Sequence, residues 1–281
     1  MIKVGDYNVL RVIKEKGKGY LLKEEGIKDG EDVFLPEMNT RDKELELGDK
    51  VSAFVYRDNQ GKLISTLEKP LARAGELAYL KVVGLPTFGA FVDMGLDRDI
   101  LVPLKEKIYP FKKDKSYLFY VYVDKTGRLA ASAYVEKHLD SDHNFKVGDE
   151  VNGTVYGFQS NNSLKIAVEN KYKGVVLYNE YFNRVEYGDS LTCRVNKIYE
   201  DGRIGVTPRR AAKEELPALE EKIMEYLKAN NGFMTYNDRT SPEEIYEIFN
   251  VSKNYFKNAL GGLMKKKLIT QDEKGTRLNR E

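Results

Sequence analysis

Short runs of alternating apolar and polar residues dominate the chain up to about position 208. This period of two indicates β-strands, because successive side chains of a strand point to opposite faces. Three turns share a glycine followed by a basic and an apolar residue, namely Gly61-Lys62-Leu63, Gly127-Arg128-Leu129 and Gly202-Arg203-Ile204. Such a glycine supplies the positive φ that a tight hairpin requires. The pattern predicts three repeats of about 70 residues, each with about five strands.

Five strands in about 70 residues favour a small closed barrel over a two-sheet sandwich. We therefore expect a mainly β chain in which three five-stranded barrels follow one another. The barrels are predicted over residues 1–68, 69–137 and 145–210, and the polar stretch 137–144 is the predicted linker between the second and the third.

The pattern becomes helical after position 210. Apolar residues recur at helical spacing over 216–227, with Pro217 near the start of this predicted helix. Ser241 and Ser252 are predicted N-caps of two further helices, and the residues 268–278 read as a hairpin. Three helices and a hairpin predict a winged helix-turn-helix, an α+β domain, over 214–281.

Composition narrows the function without identifying it. The chain has 281 residues, a hydrophobic fraction of 41% and a net charge of only +2, so a polyanionic partner has to be argued from local patches. One cysteine, Cys193, excludes an intrachain disulfide and a cysteine-built zinc site, and it fits a reducing, cytoplasmic setting. No apolar run reaches the roughly 18 residues that a membrane span needs, so we expect no membrane partner.

The second repeat carries a specific motif. Thr87-Phe88-Gly89-Ala90-Phe91-Val92-Asp93 is followed by Ile100-Leu101-Val102-Pro103, and then by Asp124 and Gly127-Arg128. This order resembles the S-one RNA-binding domain, an OB-fold. Three such barrels followed by a winged helix resemble the conserved virulence factor B family of bacterial RNA-binding regulators. The resemblance implies OB-folds, a single-stranded RNA ligand, no cofactor and a role in gene expression after transcription.

Phe88 and Phe91 are the leading candidates for RNA contact. Three positions apart on a regular strand, they would point to opposite faces, but a bulge at Gly89 would bring both rings to one surface. They would then form a stacking platform for bases. The alternative is that at least one ring belongs to the core.

The same aromatic pair is missing from the other repeats. Repeat one has Lys18 and Leu21 at these positions, and repeat three has Asn161 and Leu164. The first and third barrels are therefore divergent, and either have lost RNA binding or bind through charge and hydrogen bonds alone.

Further candidates flank the motif. Tyr120 and Tyr122 share one face of a predicted strand, where they either extend the RNA surface or form an interface between barrels. Lys81 and Arg128 are basic positions that could meet a phosphate. For Arg128 the alternative is a solvated charge at a hairpin tip.

The winged helix offers a second set of basic residues. Lys253 and Lys257 lie away from the apolar face of the third helix, and Lys265, Lys266 and Lys267 follow at its C-terminal end, where cations suit the helix dipole. Acidic and basic residues nearly balance from position 209 onward, whereas a protein that binds duplex DNA usually has a clear excess of basic residues. We therefore favour a domain that assists RNA binding or contacts protein, and a purely structural role stays open.

Three functions are compatible with these residues. The first is a non-catalytic RNA-binding regulator, and the second is a scaffold that contacts the ribosome or RNA polymerase. The third, a ribonuclease, would need convergent carboxylates, for which Asp97 and Asp99 are the nearest pair. Asp140, Asp142 and His143 could bind a metal but are more typical of a polar linker, so no metal site is predicted.

Overall fold

Three closed five-stranded barrels and a small helical domain follow one another in the computed structural model, which describes residues 1–27, 30–181, 184–208, 212–249 and 251–279. The strands of barrel one are β1 (Asp6–Glu15), β2 (Gly19–Glu24), β3 (Val33–Pro36), β4 (Lys50–Arg57) and β5 (Leu63–Thr66). Those of barrel two are β6 (Leu77–Gly84), β7 (Gly89–Val92), β8 (Ile100–Pro103), β9 (Ser116–Val123) and β10 (Leu129–Ser132). Those of barrel three are β11 (Glu150–Phe158), β12 (Leu164–Val168), β13 (Tyr172–Val176), β14 (Ser190–Ile198) and β15 (Ile204–Thr207).

All three barrels have the same topology. The first strand pairs antiparallel with the second and the fourth, and the fifth strand closes the barrel by pairing in parallel with the third. The first strand of each barrel also has a bulge at the same place, between Val12 and Lys14, Val82 and Gly84, and Val155 and Gly157. This is OB-fold topology, and it confirms the three predicted barrels.

Two aromatic side chains of barrel one extend the apolar core of barrel two. Phe54 and Tyr56 of β4 are buried in one cluster with Ala72, Met94 and the interior of barrel two. The Tyr56 hydroxyl also donates a short hydrogen bond to the Asp97 carboxylate. Because these contacts bury large side chains from both barrels, they fix how barrel one sits on barrel two.

Barrels two and three meet through a separate interface. The Tyr79 hydroxyl donates a 2.7 Å hydrogen bond to the Gly188 carbonyl, and the rings of Tyr109 and Tyr187 stack with centroids 4.1 Å apart. Leu118 of β9 is buried against barrel three. Barrel two therefore contacts both barrel one and barrel three.

The predicted linker 137–144 packs against barrel three. Asp140 forms a β-bridge with Tyr172 of barrel three. His143 Nε2 donates a 3.1 Å hydrogen bond to the Gly202 carbonyl, and its ring contacts Phe145. These contacts attach the segment to the surface of barrel three.

The C-terminal domain has three helices and a three-stranded wing. Its elements are α1 (Ala212–Ala229), β16 (Phe233–Met234), α2 (Pro242–Phe249), α3 (Lys253–Lys265), β17 (Ile269–Asp272) and β18 (Gly275–Leu278). The fold confirms the predicted winged helix. Ser241 and Ser252 cap α2 and α3 as predicted, by accepting hydrogen bonds from the N–H groups of Glu244 and Tyr255.

Two details of this domain differ from the prediction. Helix α1 begins at Ala212, before the predicted domain start at 214, so Pro217 lies inside the helix. Strand β16 was not predicted, because two residues carry no readable alternation. The end of the third predicted barrel at 210 falls on residues 209–211, which lie outside the described part of the chain.

Candidate nucleic-acid interface

Each barrel has an outward-facing row of three residues, one on each of its second, third and fifth strands. In barrel two, Phe91 on β7 lies opposite Leu101 on β8, and Leu101 pairs in parallel with Ala130 on β10. The corresponding rows are Leu21, Phe34 and Ile64 in barrel one, and Lys165, Val175 and Gly205 in barrel three. The shared register means that the three rows can be compared position by position.

Phe88 and Phe91 lie together, but not through the predicted bulge. Phe88 lies in the turn that precedes β7, and the bulge is in the neighbouring strand β6. The two rings meet edge to face with centroids 6.1 Å apart and an interplanar angle of 85°. Phe88 is 57% exposed and Phe91 is half-buried, so neither belongs to the buried core.

Gly89 does not form the predicted bulge but allows β7 and β8 to lie close together. A Cβ added at Gly89 would lie 2.2 Å from the Val102 carbonyl oxygen of β8. The missing side chain therefore allows the close approach of β7 and β8 that places Phe91 beside Leu101.

A groove of about 240 Å³ runs beside Phe91, between barrel two and the β4–β5 hairpin of barrel one. Its apolar floor includes Leu101 and Ala130, and three arginines, Arg57, Arg98 and Arg128, line it. Among the described residues, Arg57 pairs with Glu31 at 3.0 Å and Arg98 with Asp97 at 3.9 Å, whereas the side chain of Arg128 donates only to the hydroxyl of neighbouring Thr126 at 2.9 Å. The groove thus combines an aromatic wall with guanidinium groups.

The turn that carries Arg128 is held by Asp124. The Asp124 carboxylate accepts hydrogen bonds from the backbone N–H groups of Thr126 and Arg128 at 2.8 and 3.0 Å. Burial by itself would raise the pKa of Asp124, but these bonds and that of the Thr126 hydroxyl lower it below its ordinary value. Gly127 has a φ of 78°, so the glycine of this hairpin has the predicted positive φ.

Tyr120 and Tyr122 do not line this groove. Their rings are parallel with centroids 6.4 Å apart, and the His138 ring stacks on Tyr120 with centroids 3.3 Å apart. Burial, together with the nearby charge of Lys137, lowers the pKa of His138, so a neutral imidazole covers this face of Tyr120 at neutral pH. The structure therefore brings Tyr120 together with the linker to barrel three.

Lys81 lies in β6 away from the groove. It forms an ion pair with Asp114 at 3.2 Å, and both side chains are at least half exposed. The structure does not bring Lys81 together with Phe91 or Arg128.

The structure corrects the alignment of barrel three by one residue. Lys165, not Leu164, lies at the register of Phe91, and Leu164 is fully buried in the barrel core. Asn161 lies in the preceding turn, where its side chain accepts a hydrogen bond from the Ser163 N–H. Lys165 pairs with Glu136 at 2.8 Å. The other two residues of the row are Val175 and Gly205, so the row in barrel three has no aromatic ring.

The basic residues of the winged helix are not equivalent. Lys253 donates to the Arg239 carbonyl at 3.2 Å, and Lys266 pairs with the buried Glu220 carboxylate. Lys267 has a φ of 57° and follows the helix as its left-handed terminating residue. Lys257 and Lys265 are exposed and form no ion pair within the described ranges.

The structure was also searched for a metal site, a reactive thiol and a membrane span. Among the described residues, no group of three or more His, Cys, Asp or Glu side chains is arranged to hold a metal ion. Cys193 is buried, and burial raises the pKa of its thiol to about 12. None of the described helices has both the length and the apolar character required to span a membrane.

Sequence reasoning missed Arg57 and Arg98 of the barrel-two groove and Phe34 of the corresponding row in barrel one. Arg98 stands between Asp97 and Asp99, which were considered only as candidate carboxylates, and it lines grooves on both barrel one and barrel two. Phe34 lies at the position in barrel one that Leu101 occupies in barrel two, and it was not among the aromatic candidates. Comparing all three strands of each row would have revealed the ring in barrel one.

Comparison with known proteins agrees with this architecture. The family model described as S1 domain matches residues 4–68, which is barrel one, and the model described as CvfB-like winged helix domain matches residues 221–278. A solved structure of similar chain length, a multidomain protein with nucleic acid binding domains from Streptococcus pneumoniae TIGR4, is 29% identical, covers 98% of both chains and has a TM-score of 0.54.

Two curated relatives span nearly the whole chain. YitL of Bacillus subtilis is 30% identical and covers 96% of this chain and 92% of its own length. Conserved virulence factor B of Staphylococcus aureus strain N315 is 31% identical and covers 95% of this chain and 91% of its own length. With this identity over three barrels and a matching winged helix, the chain belongs to the conserved virulence factor B family.

Proposed function

We propose that this chain is a non-catalytic protein that binds single-stranded RNA and regulates gene expression after transcription in the bacterial cytoplasm. The observation that carries the proposal is the pair Phe88 and Phe91, whose rings meet outside the core beside a groove lined by three arginines. The match to an S1 domain and the solved relative with nucleic acid binding domains support the same ligand class.

The chemistry of the groove suits unpaired nucleotides. An accessible aromatic ring can stack on a base, which contributes about 1–3 kcal/mol per base. Bases inside a duplex already stack on each other, so their faces are open to a protein ring only in a single strand. Arg98 and Arg128 supply planar guanidinium groups that can bind phosphate oxygens with two parallel hydrogen bonds.

The winged helix contributes an assisting role. Of its candidate cations, Lys257, Lys265 and Lys267 are exposed and have no ion pair within the described residues, whereas Lys253 and Lys266 bind groups of their own domain. Three exposed lysines add a modest phosphate contact and are a weaker footprint than a duplex-DNA reader usually has. Duplex DNA is therefore the less favoured ligand.

The two carboxylates of the ribonuclease alternative serve other purposes. Asp97 accepts the hydrogen bond of Tyr56 and so joins barrel two to barrel one. Partial burial, and then the charge of Asp93, raise the pKa of Asp99. A two-metal cleavage site needs convergent carboxylates, and no such group is arranged for a metal among the described residues, so these observations favour binding over cleavage.

A titration against single-stranded RNA, single-stranded DNA and duplex DNA of equal length, at two salt concentrations, tests the proposal. We expect saturable binding that is tightest for single-stranded RNA and intact RNA after incubation with magnesium. Weak, non-saturable binding to all three, with co-purification of the ribosome or RNA polymerase, would instead favour the scaffold function.

A further inference from the structure

Barrel one has a groove of its own on the face that corresponds to the barrel-two groove. Its volume is about 760 Å³, and its wall includes the row residues Leu21, Phe34 and Ile64. The groove also contains the exposed side chain of Met38 and, from barrel two, Arg98. Barrel one therefore retains an open surface where the sequence predicted a divergent barrel.

The row in barrel one has an aromatic ring, but on a different strand. Barrel two has Phe91 on its second strand opposite Leu101 on its third, and barrel one has Leu21 on its second strand opposite Phe34 on its third. Directly opposite residues of an antiparallel pair have Cβ atoms about 4.5–5.5 Å apart. Exchanging phenylalanine and leucine across the pair therefore keeps the ring at the same surface.

A glycine leaves room for the relocated ring. A Cβ added at Gly19 would lie 2.8 Å from Cζ of Phe34, so this ring extends over the bare backbone of β2. In barrel two the corresponding glycine is Gly89, and Leu101 is the side chain beside it, with Cδ1 3.2 Å from the added Cβ. Phe34 is half-buried, with one side against the strand and the other toward the groove.

The acidic residues of this groove are occupied within the protein. Asp32 lies 3.8 Å from Lys23, the Asp58 carboxylate accepts the backbone N–H groups of the β4–β5 turn, and Asp97 accepts the Tyr56 hydroxyl. Three lysines also line the groove, Lys16, Lys18 and Lys62. All three are exposed and have no ion pair within the part of the chain that the structure describes, which leaves their charges available for phosphate.

Arg98 connects the two grooves. It lines both, and its backbone neighbour Asp97 is held against barrel one by Tyr56. The shared core around Phe54 fixes the two barrels relative to each other. The spacing between the two grooves is therefore set by the fold.

We propose that barrel one is a second stacking site, in which Phe34 receives a base, and that one single-stranded RNA runs through both grooves past Arg98. This inference rests on the proposed function, because it deepens the same RNA-binding surface. One OB-fold binds at least about 4 nucleotides, so a strand of about 4 fits one groove and filling both takes at least about 8, which a 16-nucleotide strand provides. Once one groove is filled, the second binds at a high effective concentration, which raises the affinity of the long strand.

The test uses the full chain and two variants that rearrange the row. Phe34→Leu copies Leu101 of barrel two and should weaken binding of a 16-nucleotide RNA about fivefold or more, with no change in the salt dependence, because a stack releases no counterions. The double variant L21F/F34L moves the ring to the strand that carries it in barrel two and should restore the affinity. Melting curves check that both variants are folded.

A second measurement needs no variant. Wild-type chain is crosslinked to a long RNA that contains 4-thiouridine, and the attached peptides are mapped. We expect crosslinks in the segment around Phe34 as well as around Phe88. Crosslinks confined to barrel two, or an unchanged affinity in folded Phe34→Leu, would overturn the second site.

The failure of this inference can be told from the failure of the proposed function. If Phe88→Ala weakens RNA binding and Phe34→Leu does not, barrel two binds RNA and barrel one is no stacking site. If the wild type shows no saturable RNA binding, both proposals are wrong.

Discussion

Phe91 of barrel two and Lys165 of barrel three occupy the same register position, each opposite a glycine that follows a bulge in the preceding strand. Phe91 packs against Phe88 and lines a groove, whereas Lys165 pairs with Glu136 at 2.8 Å. The same backbone position thus presents a ring in one barrel and a paired cation in the other. The two barrels therefore share a backbone geometry at this position and differ in the side chain that they present.

The close approach of β7 and β8 predicts the effect of a single methyl group. Gly89→Ala places a Cβ 2.2 Å from the Val102 carbonyl oxygen, which is backbone and cannot move aside cheaply. We expect a loss of about 1–3 kcal/mol in the free energy of unfolding, measured by chemical denaturation.

Gly261→Ala is the matched control. A Cβ at Gly261 in α3 meets nothing within 4 Å, so the same change should stabilise the helix by about 0.5–1 kcal/mol. Equal effects of the two substitutions would contradict the strand-contact account.

The repeat architecture was predictable because its signals are local. Each barrel ends on a hairpin with a positive-φ glycine before a basic residue, and the observed φ values of Gly61, Gly127 and Gly202 lie between 77° and 81°. Helix caps such as Ser252 are equally local. Local backbone requirements of this kind leave a clear trace in the sequence.

The site was predicted less completely, because a groove is assembled across strands. The pair Phe88 and Phe91 stood out as neighbours in sequence, but Phe34 reaches the corresponding surface from another strand. Arg98 lines a groove of barrel one although it belongs to barrel two. Neither relationship follows from residue spacing along a single strand.

Two neighbouring lysines at the end of α3 should differ in how much they contribute to the stability of the winged helix. Lys266→Gln removes the partner of Glu220, whose side chain is only 9% exposed, and leaves a buried carboxylate unpaired. We expect it to destabilise the winged helix by about 1–3 kcal/mol, measured by thermal or chemical melting. Lys265→Gln, next to it and exposed, should leave stability unchanged, and a similar loss in both variants would argue against the Glu220 pair.

The interface between barrels two and three should respond to acid. The hydrogen bond and charge of Lys112, and then Lys115, hold the pKa of Glu186 below its ordinary value. A carboxyl group with a lowered pKa stabilises the folded state above its ordinary pKa of about 4.3, and this contribution is lost as the pH falls through the lowered value. Wild type should therefore be more stable than Glu186→Gln at pH 7.

Melting curves of wild type and Glu186→Gln between pH 7 and pH 3 measure this effect. The difference between the two proteins should shrink as the pH falls below about 4.3. A difference that stays constant over this range would show that the charge of Glu186 is not responsible.

Arg128, which lines the groove of barrel two, should make RNA affinity more dependent on salt concentration. Replacing it by Gln removes one phosphate contact, and the slope of log affinity against log salt should become shallower by about 0.7 for single-stranded RNA. Lys125→Gln is the control, since Lys125 is an exposed cation of the same turn outside the groove lining. Equal slopes for Arg128→Gln and wild type would place the RNA elsewhere.

The stacking pair provides the most direct test of the account. Phe88 is 57% exposed and Phe91 half-buried, so replacing both by Ala should lower the free energy of unfolding by less than the 3–5 kcal/mol or so of a buried ring. Each lost stack should nevertheless weaken RNA binding by about 1–3 kcal/mol, independent of salt. Phe119→Ala removes a fully buried ring of the same barrel and is the control for a core effect.

A titration of single-stranded RNA against the Phe88→Ala/Phe91→Ala double variant, with melting curves of the same samples, is the decisive measurement. The account predicts a folded chain whose RNA affinity falls by at least about fivefold at both low and high salt. A folded double variant that binds RNA with wild-type affinity would contradict it.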